Sequence, residues 1–337
     1  MSYERVRARA RAGRQLRLHE QLRHKLGQFA VDGFFHTAAR LGKLHPAARP
    51  ERHGVEIHRD LGYLATGLAE HRLDVYRPRE RSGPLPAVFY VHGGGFRILS
   101  KDTHWLMGLA FARAGYVVFN VSYRLAPTHP FPAGLGDVAD ALGWVADNAA
   151  HFGARLDRLA FAGESAGANL VTALGLMTCY RRPEPFAARV FELGLVPRAV
   201  LPYCGILQVS DSARFLRRKP ALGAFLDDRL CEVEHAYLGD DLERYGASLD
   251  LADPLVVLER GDPPTRALPP FFVAVGTRDP LLDDTRRLKA ALDRLGTPCE
   301  ARYYEGEVHA FHALVWRKQA RRCWADSYAF LRQHLDA

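Results

Sequence analysis

The 337-residue chain is 48% hydrophobic and 25% charged, an ordinary composition for a soluble globular protein and long enough to bury a core without disulfides or metal. Its formal charge of +8 resides in residues 1–49, where 11 Lys and Arg face only Glu4, Glu20 and Asp32; the rest balances at 35 to 35. The main body therefore lacks the basic footprint and the reading motifs of a nucleic-acid binder, and no run reaches the roughly 18 apolar residues of a membrane span.

The basic start lacks the apolar core of a secretory signal. Its first 19 residues share the Arg-rich, acid-poor composition of a mitochondrial leader, but Leu18, Leu22, Leu26 and Phe29 then recur at helical spacing. That pattern predicts a docked helix with a solvated arginine face. Two β-type stretches follow at residues 55–58 and 73–76. Strand-like runs at 87–91, 116–121, 158–162, 199–203, 271–275 and 301–304 then alternate with helical stretches, the clearest at 135–150, 166–180, 284–295 and 317–334. This alternation predicts an α/β fold built on an eight-stranded, mostly parallel, buried sheet flanked by helices.

One connection breaks the rhythm, since 67 residues separate Tyr203 from Phe271. A long insertion in a regular α/β chain reads as a lid over a site. The predicted organisation is thus a helical cap segment at 1–50, a catalytic core at 51–205 and 251–337, and a cap insertion at 206–250. The insertion carries a basic patch at Arg217, Arg218 and Lys219. The five cysteines, at 179, 204, 231, 299 and 323, are scattered and form no Cys-x-x-Cys. They predict neither a disulfide framework nor a zinc site, and a reducing cytosol is the simplest home.

A serine nucleophile needs a base, an acid that orients the base, and donors for the developing oxyanion. Gly163-Glu164-Ser165-Ala166-Gly167 stands between a strand and a helix, the context in which a sharp turn exposes Ser165. Upstream, His92-Gly93-Gly94-Gly95-Phe96 follows a strand, and its bare glycines can turn backbone N–H groups toward a ligand. Gly93 and Gly94, with Ala166 after the nucleophile, are the candidate oxyanion donors. The alternative, a phosphate-binding loop, lacks the Lys-Ser/Thr and the Gly-x-Gly-x-x-Gly that it would need. His92 itself reads as a loop-positioning residue.

Asp279 is the first carboxylate beyond the strand at 271–275, where sites of such sheets gather. Asp283 and Asp284 read as caps of the following helix. His309 follows the last strand across a short loop, and His312 reads as an ordinary helix residue. The order Ser165, Asp279, His309 completes a triad in which His309 is the base and Asp279 its orienting acid. The arrangement implies acyl transfer and requires no cofactor or metal. Phe34, Phe35 and Trp105 read equally well as pocket lining or as core.

Together these residues resemble the α/β-hydrolase fold, and within it the hormone-sensitive-lipase-like esterases. The elbow, the His-Gly-Gly-Gly loop and the Ser–Asp–His order are general attributes of that fold. The resemblance is carried by residues 92–96, by Tyr123-Arg124-Leu125-Ala126-Pro127 with His129-Pro130-Phe131-Pro132-Ala133, by 163–170 and by 279–284, and spans roughly 70–335. Departures are Thr128 where Glu is usual, Ala168 and Ala310 where Gly is frequent, and Glu164 where Asp is commoner. The resemblance implies a helical cap and a carboxylesterase acting on a small-molecule ester, with short- to medium-chain acyl groups expected. Amide hydrolysis by the same triad is the alternative, and a non-catalytic binding member of the fold, which would lack the triad histidine, is a more distant one. A homo-oligomer is left open.

Overall fold

The computed structural model describes residues 45–336 except Ser82 and residues 219–223, together with Gly33, Thr37 and Gly42. The strands are β1 (Val55–Gly62), β2 (Arg72–Pro78), β3 (Leu85–Val91), β4 (Val117–Val121), β5 (Ala154–Glu164), β6 (Ala199–Tyr203), β7 (Phe271–Gly276) and β8 (Cys299–Tyr304). They form one sheet in the order β1-β2-β4-β3-β5-β6-β7-β8. The pairings β1–β2 and β2–β4 are antiparallel, and all others are parallel. All eight predicted strands are present, and most run a few residues longer than their apolar runs suggest.

The central strands read as continuous apolar runs because both faces of the sheet are covered. Along β3, Ala87, Phe89 and Val91 point into one core and Val88 and Tyr90 into the other. The first core is completed by α2 (Ala133–Asn148), α3 (Ala166–Cys179), α4 (Pro185–Glu192), α7 (Pro254–Arg260) and α8 (Leu282–Arg294). The second is closed by α1 (Trp105–Arg113) and α9 (Lys318–Leu335), which contribute Met107, Phe111, Cys323 and Phe330. α3 is buried along its whole length, so its sequence is mostly apolar on every side rather than striped, with Asn169, Thr172 and Thr178 as its buried polar residues.

The insertion holds α5 (Ala213–Arg218) and α6 (Ala224–Leu238), and it is fastened to the core by carboxylates. Asp253 accepts from the backbone N–H groups of Val209 and Ser210. Asn169 on α3 donates through Nδ2 to the carbonyls of Ile206 and Ala252, both at 2.9 Å. Asp284 is fully buried, takes the Leu207 N–H at 2.9 Å and pairs with the Arg214 guanidinium at 2.5 Å. Asp284 is therefore not a helix cap, as its sequence position suggests. The N-cap position of α8 is Leu281, without a side-chain cap bond, and Asp284 is turned inward to hold the insertion.

Breaking that pair leaves the buried carboxylate with only the more distant Arg287 guanidinium, 3.8 Å away, as a counter-charge. Arg214→Ala is expected to cost about 3–5 kcal/mol, read as a lowered denaturant midpoint. The predicted helix of Leu18, Leu22, Leu26 and Phe29 lies outside the described residues. No helix among those described is long and apolar enough to cross a membrane.

Candidate active site

Ser165 joins β5 to α3 with φ 54° and ψ −115°, a backbone conformation that L residues rarely adopt. The turn is possible because its neighbours are small. A Cβ on Gly163 would stand 2.6 Å from the Gly167 carbonyl oxygen, and one on Gly167 would stand 2.1 Å from that of Val91. Both clashes are with backbone, which cannot yield like a side-chain tip. Gly167→Ala is accordingly expected to cost at least about 1–3 kcal/mol and to lower activity with it, checked by thermal denaturation beside an ester assay.

The sheet's carboxyl end brings the candidate groups together. His309 Nε2 lies 3.0 Å from Ser165 Oγ, and His309 Nδ1 lies 2.9 Å from Asp279 Oδ2. Asp279 is buried, and its other oxygen accepts the Leu281 N–H at 2.8 Å, which fixes the carboxylate's rotation. The His309 loop is drawn in because the Glu307 carbonyl accepts the Arg278 N–H. A Cβ on Gly276 would stand 2.2 Å from that same carbonyl oxygen. Burial alone would depress the His309 imidazole, but the Asp279 carboxylate beside it holds it well above its ordinary range. Ala310 next to it has φ 54°, which explains why glycine suits that position.

The glycine loop after β3 lies across from this chain. Gly94 has φ 110°, and a Cβ there would stand 2.1 Å from the Ile98 carbonyl oxygen. The Gly94 carbonyl is turned back into the loop, accepting from the N–H groups of Arg97 and Ile98. Gly93 packs against Glu164, with 2.9 Å from its would-be Cβ to the Glu164 carbonyl oxygen. Ala166 is the first residue of α3, so its N–H has no acceptor within the helix. His92 is fully buried, stacks on Tyr123 at 4.3 Å, and donates from Nδ1 to the Gly93 carbonyl at 2.7 Å. Burial, with His104 nearby, pushes its pKa down to about 3. A permanently neutral ring holds the loop in place.

Three further groups were not legible as a unit. Glu164, immediately before Ser165, is buried between two histidines, with His104 Nε2 2.8 Å from Oε1 and His312 Nε2 2.8 Å from Oε2. Burial resists its charge, yet the two imidazoles hold it well below the usual carboxylate range. His312 is thus no ordinary helix residue. It lies in a single 3-10 turn (Phe311–Ala313), stacks on Tyr203 at 4.8 Å and ties the His309 loop to the end of β5. Cys204, after β6, is also buried beside His309, with φ 40°.

The insertion meets the glycine loop directly. Tyr237 stacks on Phe96 at 3.8 Å, Arg97 pairs with Glu232 at 2.5 Å, and Val233 lies against Gly95. Trp105 is elsewhere. It borders a small cleft with Ala48, Ile57 and Tyr76, against the second core, and does not line the Ser165 site. Phe34 and Phe35 lie outside the described residues, as does Lys219 of the basic patch; Arg217 pairs with Asp211.

Residues 88–313 match the family model described as the alpha/beta hydrolase fold. The chain is 32% identical over 288 residues to carboxylesterase NlhH of Mycobacterium tuberculosis, covering 84% of this chain and 83% of that one. Among solved structures it is similar to the esterase LipW from Mycobacterium marinum, with a TM-score of 0.70 and 25% identity over 91% of this chain and 90% of the other. It is likewise similar to a hyperthermophilic esterase from Pyrobaculum calidifontis, with a TM-score of 0.68 and 25% identity over 91% of each. With an eight-stranded sheet, a strand–Ser165–helix elbow and a relative matched over most of both lengths, the chain belongs to the α/β-hydrolase family, in its hormone-sensitive-lipase-like branch.

Proposed function

We propose that the protein, a carboxylesterase-type hydrolase, cleaves small carboxylic esters of short- to medium-chain acids through an acyl-enzyme on Ser165. The observation that carries this reading is the unbroken hydrogen-bonded chain from Ser165 through His309 to Asp279. His309 takes the Ser165 proton as Oγ attacks the ester carbonyl, and Asp279 stabilises the imidazolium that forms. The oxygen of the tetrahedral intermediate receives the N–H groups of Gly93, Gly94 and Ala166. His309 then returns its proton to the departing alkoxide, and the acyl group stays on Ser165. A water, deprotonated by the same imidazole, releases the acid and restores the serine.

The cap reading of residues 206–250 draws on their contact with the glycine loop. Five scattered cysteines with no Cys-x-x-Cys fit a reducing compartment such as the cytosol. The partner in this reading is a small ester alone, with no nucleic acid. A p-nitrophenyl ester series from acetate upward, run beside one aryl amide, tests it. Turnover of acetate or butyrate well above that of the amide is expected, whereas preferential amide cleavage would replace the ester reading.

A further inference from the structure

Beside the proposed catalytic chain stands a thiol that the mechanism does not use. Cys204 is 1% exposed, at the end of β6. Its backbone is fixed where β6, β7 and the elbow meet, since its N–H donates to the Ala274 carbonyl and the Ser165 N–H donates to that of Tyr203. One donor atom each from Cys204, Asp279 and His309 lie within 4.8 Å of one another. Sulfur, imidazole nitrogen and carboxylate oxygen in one cluster is the donor set of a zinc site with three protein ligands and one open position. Tetrahedral bonds of about 2.0–2.3 Å place donors some 3.3–3.7 Å apart, so binding needs the thiol to move in by at most about 1.5 Å and the Asp279–His309 pair, 2.9 Å apart, to part slightly. The His309 side chain is 36% exposed, which gives an ion a way in from the mouth of the site.

We propose that Cys204, His309 and Asp279 form an inhibitory site for Zn2+ or a similar thiophilic divalent cation. On binding, the Cys204 S–H bond breaks, its proton leaves to solvent, and the thiolate coordinates the metal. The ion takes Nδ1, the ring nitrogen beside Asp279, and thereby removes the base: it displaces the ring proton to Nε2, which then faces Ser165 as a donor. The thiolate and carboxylate neutralise the ion's two charges, so a buried excess charge is avoided. Hard cations such as Ca2+ and Mg2+, which prefer several oxygens, find only one carboxylate here.

The inhibition rests on the esterase reading, whereas the binding does not. The full-length chain would be titrated with Zn2+ by calorimetry and with Co2+ by absorbance, where a thiolate ligand produces a charge-transfer band, in parallel with p-nitrophenyl acetate turnover. The expected result is a Co2+ band, Zn2+ inhibition reversed by a chelator, and no response to Mg2+. Cys204→Ala and Cys204→Ser should retain turnover without metal, lose the band, and need at least about tenfold more Zn2+ for half-inhibition. Unchanged Zn2+ affinity and an unchanged band in both variants would overturn the proposal. Should no ester be hydrolysed, the band and the calorimetry still decide whether the site exists.

Discussion

Ser165→Ala is expected to reduce kcat for p-nitrophenyl esters on the order of 10⁶-fold, leaving only what the oxyanion donors and substrate binding supply. The loss is this large because the serine, its base and the base's carboxylate act as one unit. His309 can deliver a proton usefully only where Ser165 Oγ stands, 3.0 Å away. The effect should therefore saturate. Adding His309→Ala to Ser165→Ala should bring almost no further loss, where independent contributions would multiply. Stopped-flow traces should also lose the burst of p-nitrophenolate. Alanine tolerates the strained backbone at 165 no worse than serine does, so an unchanged melting temperature is expected alongside. Residual turnover within tenfold of the parent would displace Ser165 from the nucleophile's role.

Asp279→Asn is the second large effect, about 10⁴-fold in kcat. An amide nitrogen facing Nδ1 forces the ring proton onto Nε2, and the imidazole then points a proton at Ser165 when it should accept one. The pH dependence gives a finer check. The Asp279 carboxylate holds the His309 imidazole above its ordinary value near 6.5. Since the base works only when neutral, kcat/KM should climb through a midpoint above 6.5 and level off beyond it. In Asp279→Asn the largest interaction opposing burial is lost, and the residual activity should reach its plateau at lower pH. Stability has the opposite sign. A group whose folded pKa is raised contributes fully below its unfolded value and loses that contribution as pH rises through the folded one. The His309–Asp279 pair should thus weaken the fold slightly over the same window in which the enzyme gains activity. Denaturant melts at pH 6 and pH 9 on parent and Asp279→Asn would resolve that difference.

The sheet was legible because buried parallel strands are short apolar runs between amphipathic helices, a local pattern. Ser165, Asp279 and His309 were legible for a related reason, each lying just beyond a strand's carboxyl end. What escaped notice depends on pairing over long separations. Nothing local at His104 or His312 announces Glu164, 60 and 148 positions away, as their common acceptor. Asp284 illustrates the converse error, because two carboxylates at a helix start fit a cap so well that an interior role is not suspected. Only the fold shows Arg214 and the Leu207 N–H turned toward it. Cys204 is likewise an unremarkable residue until β6 and the His309 loop converge.

The seating of α6 on the glycine loop bears on how such enzymes can be recombined. Tyr237 on Phe96, Glu232 on Arg97 and Val233 on Gly95 belong to the insertion on one side and to the glycine loop on the other. Residues 206–250 are therefore not an interchangeable module. A chimera that imports a foreign segment there inherits a loop shaped for the old one, and its Asp284 is left in the interior without Arg214. A graft that respects the joint has to carry residues 95–97 and 284 with it.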